Sequence, residues 1–229
     1  MVTAVDAAEM ANAVYSMRSD VIVHPMQSCS PNDPSWKRVA KKIVGPFQAA
    51  VYQGPSGDKI VAYQGSVDKF DWLVDDVAIF AGAIPPQVAP AIMYASAHAG
   101  PRTYLTGHSL GGALAVIASA RCNLPAITFN APGVMDSCVA TAYAENQLGL
   151  SGLDQFLQMV LRCLGAARVK NFRILADPVS SFFTTGAQPG STTTYASECS
   201  VYNVKCTHGM GTCLSEVRAK ATNYQPVIL

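Results

Sequence analysis

Tyr104-Leu-Thr-Gly-His-Ser-Leu-Gly-Gly-Ala-Leu-Ala-Val-Ile-Ala-Ser-Ala120 is the stretch whose reading decides the fold. It opens as an apolar strand, turns through Gly107-x-Ser109-x-Gly111, and continues as an alanine-rich helix. That is the sequence form of a nucleophile elbow. A serine held on so sharp a strand-to-helix turn takes strained backbone angles. The residues two before and two after it must therefore lack a Cβ, so that strand and helix can approach. The helix that follows aims free N–H groups and the positive end of its dipole at the serine, where a developing oxyanion is stabilised. Gly112 supplies one more small residue at the same bend.

Working outward, the flanks alternate between strand-like and helix-like runs. Ala126–Asn130 and Val169–Ala176 read as buried strands, and Phe47–Gln53 with Lys59–Gln64 as a hairpin around Gly54-Pro-Ser-Gly57. Asp6–Met17 carries Ala7, Met10, Ala11, Val14 and Tyr15 on one helical stripe, with Asp6 as its N-cap. Gln87–Ala99 reads as a helix stopped by Gly100-Pro101, and the chain ends in a helix near Cys213–Thr222. Trp36–Val44 is expected to be a short basic helix, Thr184–Ser197 a loop, and Val201–Lys205 a last strand. Val134–Ala167 is mixed and partly helical. Strands alternating with helices predict an α/β protein: a mostly parallel central sheet with helices on both faces, formed by residues 1–229 as a single domain.

Composition narrows the function classes. Half of the 229 residues are hydrophobic and 14% are charged, which describes a rather apolar globular chain. A net charge of +1 gives no basic surface of the kind a nucleic-acid partner requires. No apolar run reaches the roughly 18 residues of a membrane span, and the start lacks the basic and apolar regions of a signal peptide. Seven cysteines, an odd number, favour a reducing compartment, so the expected location is cytoplasmic or exported without a cleaved leader. Cys199, Cys206, His208 and Cys213 lack the close pair of an ordinary zinc site, so neither metal nor cofactor is expected. Oligomeric state is left open.

A serine hydroxyl needs a base. In α/β-hydrolase chain order the acid and then the histidine follow the serine, and His208 is the one histidine after Ser109. His108 sits inside the elbow with its side chain turned from the serine's exposed side, as a packing and hydrogen-bonding residue. His98 suits a helix C-terminus, and His24 has no evident task. The acid is to be found among Asp136, Glu145, Asp154, Asp177, Glu198 and Glu216. Asp177 stands out because it directly follows the apolar strand Phe172-Arg-Ile-Leu-Ala176, at the sheet edge that carries the elbow. The oxyanion donors expected are the Leu110 N–H and Ser66, the latter at the end of Ala62-Tyr-Gln-Gly-Ser66.

These motifs resemble those of the class 3 lipases, the fungal-lipase-like α/β-hydrolases. The likeness rests on G-H-S-L-G-G-A-L-A at 107–115, on the segment Ala62–Ser66 followed by Asp71-Trp72-Leu73, and on Asp177-Pro178-Val179. The helix ending in Val14-Tyr15-Ser16 fits as well. The resemblance implies an α/β-hydrolase fold and a carboxylic ester hydrolase in which Ser109 attacks, His208 relays the proton and Asp177 orients it. Gln64 departs from the arginine usual before the oxyanion glycine, and the family's His-x-Gly-Phe-like segment is not evident around Pro90–Tyr94. The apolar run Val77–Pro86 lies where that family carries a lid. Ile79 and Phe80 are the expected acyl contacts, with transient contact to a lipid surface, and Val134–Leu164 is a second wall. Two other classes remain open: an acyltransferase or thioesterase of the same fold, and a catalytically inactive binding module.

Overall fold

Seven strands pair in the order in which they occur: β1 (Lys37–Val44), β2 (Phe47–Gln53), β3 (Lys59–Tyr63), β4 (Thr103–His108), β5 (Ala126–Phe129), β6 (Val169–Ile174) and β7 (Ser191–Tyr195). The β1–β2 and β2–β3 pairs are antiparallel, and β3 to β7 run parallel. The computed structural model describes residues 1–18, 36–66, 84–166, 168–182 and 184–227. Eight α-helices accompany the sheet among these residues: α1 (Ala4–Ala13), α2 (Val88–Ala97), α3 (Leu110–Cys122), α4 (Met135–Gln147), α5 (Leu153–Leu161), α6 (Pro178–Ser181), α7 (Val204–His208) and α8 (Met210–Ala219).

Because the parallel strands are sequential, right-handed crossovers put their helices on one face. Residues of α2, α3, α4 and α5 share one buried cluster with Ala49, Val51, Val61 and Tyr63. The opposite face packs Ala50, Tyr52, Ile60 and Ala62 against α1 and α8. The alternation along β2 and β3 is the period-two signature of strands covered on both sides. This is the α/β-hydrolase arrangement that the alternating pattern predicts.

α1 is apolar nearly all round because it lies between sheet and α8, and its alanines let it come close. Thr106 Oγ1 on β4 donates to the Ala7 carbonyl at 3.1 Å. Its one buried acid, Glu9, is paired with the Arg218 guanidinium, tying α1 to α8. Burial pushes the Glu9 carboxyl up, and Arg218 opposes that rise.

Several local expectations are corrected. Thr3, not Asp6, caps α1; Asp6 is the reciprocal member of a capping box. Trp36–Val44 contains strand β1 rather than a basic helix. An edge strand whose residues alternate between exposed and half-buried tolerates charge on both faces, as at Lys37, Arg38, Lys41 and Lys42. The Ser/Thr-rich segment contains β7, the opposite edge strand, and Val201–Lys205 gives way to helix α7. Among the described residues Cys138 bonds Cys163 and Cys199 bonds Cys206, pairings that the count of seven did not disclose.

Candidate active site

Ser109 begins helix α3 with φ 56° and ψ −130°, a backbone conformation few residues with a side chain adopt. The glycines around it explain how the bend is held. A Cβ on Gly107 would stand 2.3 Å from the Gly111 backbone, and one on Gly111 would stand 2.2 Å from the Tyr63 carbonyl oxygen. Either substitution would push strand and helix apart. The Ser109 N–H is spent on the Phe129 carbonyl at 3.0 Å, so it takes no part in binding an oxyanion. No side chain caps α3. Its first turn therefore keeps N–H groups, that of Leu110 first, facing the serine end.

Asp177 ends the β6 segment and caps α6. Its Oδ1 accepts from Val179 N–H at 3.2 Å and its Oδ2 from Ser180 N–H at 3.0 Å. His208, at the end of α7, places Nδ1 2.9 Å from Asp177 Oδ1. Both side chains are buried. Burial alone would push the Asp177 carboxyl up. The hydrogen bond and charge of His208 and the bonds from Ser180 outweigh it and hold the group below the usual carboxylate value. With a carboxylate on Nδ1, that nitrogen carries the proton and Nε2 is left as the basic atom. His208 Nε2 and Ser109 Oγ are both buried, and neither has a hydrogen-bond partner among the described residues. No bond joins the two, and none of those residues holds either.

A second set of buried groups holds the base in place, and most of it escaped sequence reasoning. The His208 carbonyl lies 2.6 Å from His108 Nε2 and accepts from Asn130 Nδ2 at 3.1 Å. The two imidazole rings are 4.7 Å apart between centroids, which sets His208 beside the elbow. A carbonyl only accepts, so His108 Nε2 bears the proton and Nδ1 is an acceptor. Nδ1 meets the Tyr15 hydroxyl at 3.2 Å, and that hydroxyl accepts from Gly65 N–H at 3.2 Å. Burial, then repulsion from His208, lowers the His108 pKa to about 3, keeping it neutral. One hydrogen-bonded path thus runs from the loop before Ser66 through Tyr15 and His108 to the backbone of His208.

Asn130, fully buried at φ 44°, also donates to the Thr207 carbonyl at 2.9 Å and accepts from Ile174 N–H at 2.8 Å. It joins the ends of β5 and β6 to the loop carrying His208. The signal for it was an asparagine directly after an apolar strand, where the left-handed conformation is tolerated. Tyr15 gave no such signal.

The structure therefore joins Asp177 to His208 and sets the His208 ring beside that of His108, the residue before Ser109 and Leu110. Ser66 follows Gly65, where a Cβ would stand 2.7 Å from the His108 carbonyl oxygen, so the loop presses on the elbow. Ile79 and Phe80 lie outside the described residues, as do Asp71-Trp72-Leu73 and His24. Cys199 and Cys206 are bonded to each other two residues before His208, so they are committed to holding that loop.

An extracellular phospholipase A1 from Serratia liquefaciens is 37% identical over 108 residues, covering 45% of this chain. The aligned part is 31% of that protein's length. Among solved structures, a lipase from Rhizopus microsporus var. chinensis is similar with a TM-score of 0.44 at 14% identity, covering 78% of this chain and 67% of that one. The esterase domain of a Rhodothermus marinus protein gives a TM-score of 0.32 at 13% identity, covering 77% of this chain and 98% of that domain. The model of the Tle-like phospholipase domain, a phospholipase-like family, matches residues 6–223, and the chain belongs to that family.

Proposed function

We propose that this chain hydrolyses carboxylic esters of phospholipids through Ser109, His208 and Asp177. One observation carries the reading: a buried carboxylate–imidazole pair, 2.9 Å apart, whose imidazole lies 4.7 Å from the ring of His108, next in the chain to a serine held at positive φ. Family membership and the name of the Serratia relative favour phospholipid over other esters.

In this reading Asp177 keeps the proton on His208 Nδ1, and Nε2 takes the proton of Ser109 Oγ as it attacks the ester carbonyl. Neither atom is committed to another partner among the described residues, so substrate arrival can join them without breaking a bond. The tetrahedral oxyanion faces the Leu110 N–H and the Ser66 loop. Losing one such donor typically costs about 10²–10³ in turnover. His208 returns its proton to the departing lysolipid alcohol, leaving an acyl ester on Ser109. It then takes a proton from water, which attacks that ester, and passes the proton to Ser109 Oγ as the fatty acid leaves. The two disulfides suit work outside a reducing cytoplasm.

The test is release of fatty acid from a chain-length series of esters and from phospholipids, by the wild type and by Ser109→Ala. Loss by several orders of magnitude on substitution supports the reading. An unchanged rate refutes it. Product analysis with competing alcohols or thiols separates hydrolysis from acyl transfer.

A further inference from the structure

We infer that the active-site edge of the sheet docks on an anionic phospholipid bilayer, with the β1–β2 hairpin tip as its anchor. This rests on the proposed reading, since the substrate it names resides in such a surface. The register places the tip. Lys42 pairs with Ala49, Ala49 with Tyr63, and Tyr63 with Gly107, two residues before Ser109. The tip, Ile43-Val44-Gly45-Pro46, therefore extends beyond that row on the elbow side, three strand spacings, about 14 Å, from β4.

The chemistry of the tip is that of an interfacial wedge. Ile43 is 47% exposed and Val44 56%, and they point to opposite faces of the strand. Lys41 and Lys42 stand directly behind them, one on each face, and neither has an ion-pair partner among the described residues. No acidic residue occurs between Asp33 and Asp58. Lysines on an edge strand also discourage pairing between copies, but that role asks nothing of apolar residues exposed at the tip. On the other flank of the site, Phe182 is 80% exposed five residues after Asp177, and Tyr202 is 92% exposed six residues before His208. Large apolar side chains thus bracket the site on both sides. A nucleic acid would use the lysines and leave these residues idle. The exposed leucines of α5 form a rival apolar patch, but that helix contains Asp154 and no lysine.

The experiment is co-sedimentation of the Ser109→Ala protein with vesicles of phosphatidylcholine alone or of equimolar phosphatidylcholine and phosphatidylglycerol. Melting temperatures check that each added substitution folds. Each lysine near an anionic surface is worth about 5-fold in partition, so Lys41→Gln with Lys42→Gln weakens binding to the anionic vesicles about 25-fold. Lys41→Arg with Lys42→Arg retains it. Ile43→Ser with Val44→Ser weakens binding to both vesicle types by at least about 10-fold. The inference is overturned if the Ser109→Ala protein shows no anionic preference, if neither hairpin pair changes its partition, if Leu157→Ser with Leu161→Ser carries the loss instead, or if duplex DNA binds more tightly than the vesicles. Because partition is read without turnover, the two readings separate. Vesicle binding by a wild type that hydrolyses no ester refutes the hydrolase and keeps the surface; hydrolysis of soluble esters without partition does the reverse.

Discussion

Replacing Asp177 by asparagine removes one charge and sets a donor where the structure has only acceptors. Three N–H groups point at this carboxylate: Val179 and the His208 ring at Oδ1, and Ser180 at Oδ2. An amide has one oxygen, so one side of the group must fail. If the NH₂ faces Ser180, two donors confront each other in a buried place. If it faces His208, the ring must shift its proton to Nε2 to accept, and Nε2 can then no longer take the serine proton. Each arrangement satisfies two of the three contacts; the second gives up the longest of them, from Val179 at 3.2 Å, and is the one expected. The catalytic loss should be about 10³–10⁴ in kcat, or roughly 4–5.5 kcal/mol of barrier, with KM little changed. Stability should fall by about 1–3 kcal/mol, each lowering Tm by about 2–4 °C at this chain length. The acid limb of stability should change as well. The lowered Asp177 pKa gives the wild type a contribution present above about pH 3.9 and lost as pH falls through the folded-state value. The variant lacks that contribution at every pH. Steady-state hydrolysis of a soluble p-nitrophenyl ester, with melting curves across pH, measures all three. A kcat within ten-fold of wild type would refute the role given to Asp177.

Four further outcomes are expected, three of them from the groups around His208. Tyr15→Phe strands Gly65 N–H and His108 Nδ1, costing about 2–4 kcal/mol by thermal melting and lowering kcat at least about 10-fold with KM unchanged; a change in KM alone would contradict it. His108 binds fewer protons folded than unfolded, so its contribution is complete above about pH 6.5 and is lost as pH falls toward about 3. Between pH 6 and 4.5 the wild type should lose up to about 1.4 kcal/mol per unit more steeply than His108→Gln, and parallel stability curves would show the group titrating normally. Cys199→Ser with Cys206→Ser opens a loop worth about 2–3 kcal/mol and should lower kcat as well, since the bond ends two residues before His208. Cys138→Ser with Cys163→Ser should lower Tm while sparing kcat well below the melting point.

What the sequence disclosed and what it withheld divide along physical lines. The elbow was legible because sterics leave no alternative: Gly107 and Gly111 each meet backbone where a Cβ would go. Asp177 was legible because an apolar strand ending in an acid and a proline fixes both its place and its edge. His208 came by elimination, and α7 beneath it was misread as strand because five residues carry too little pattern. β1 and β7 were missed at the two edges of the sheet, where no face is fully buried and polar residues occupy both, so the apolar alternation that marks inner strands is missing from the sequence. The pairing of the cysteines is a tertiary fact that their spacing does not encode. Tyr15 and Asn130 were hidden for the same reason. Their partners are 93 and 78 residues away; nothing local marks Tyr15, and the asparagine after an apolar strand marks a left-handed turn at Asn130 but not its long-range partners.

The most direct test is covalent labelling with a fluorophosphonate, followed by peptide mass spectrometry. The account predicts one adduct, on Ser109, formed rapidly in the wild type and slowed by orders of magnitude in His208→Ala and Asp177→Asn. An adduct on another serine, or equal labelling of Ser109 in all three proteins, would contradict it.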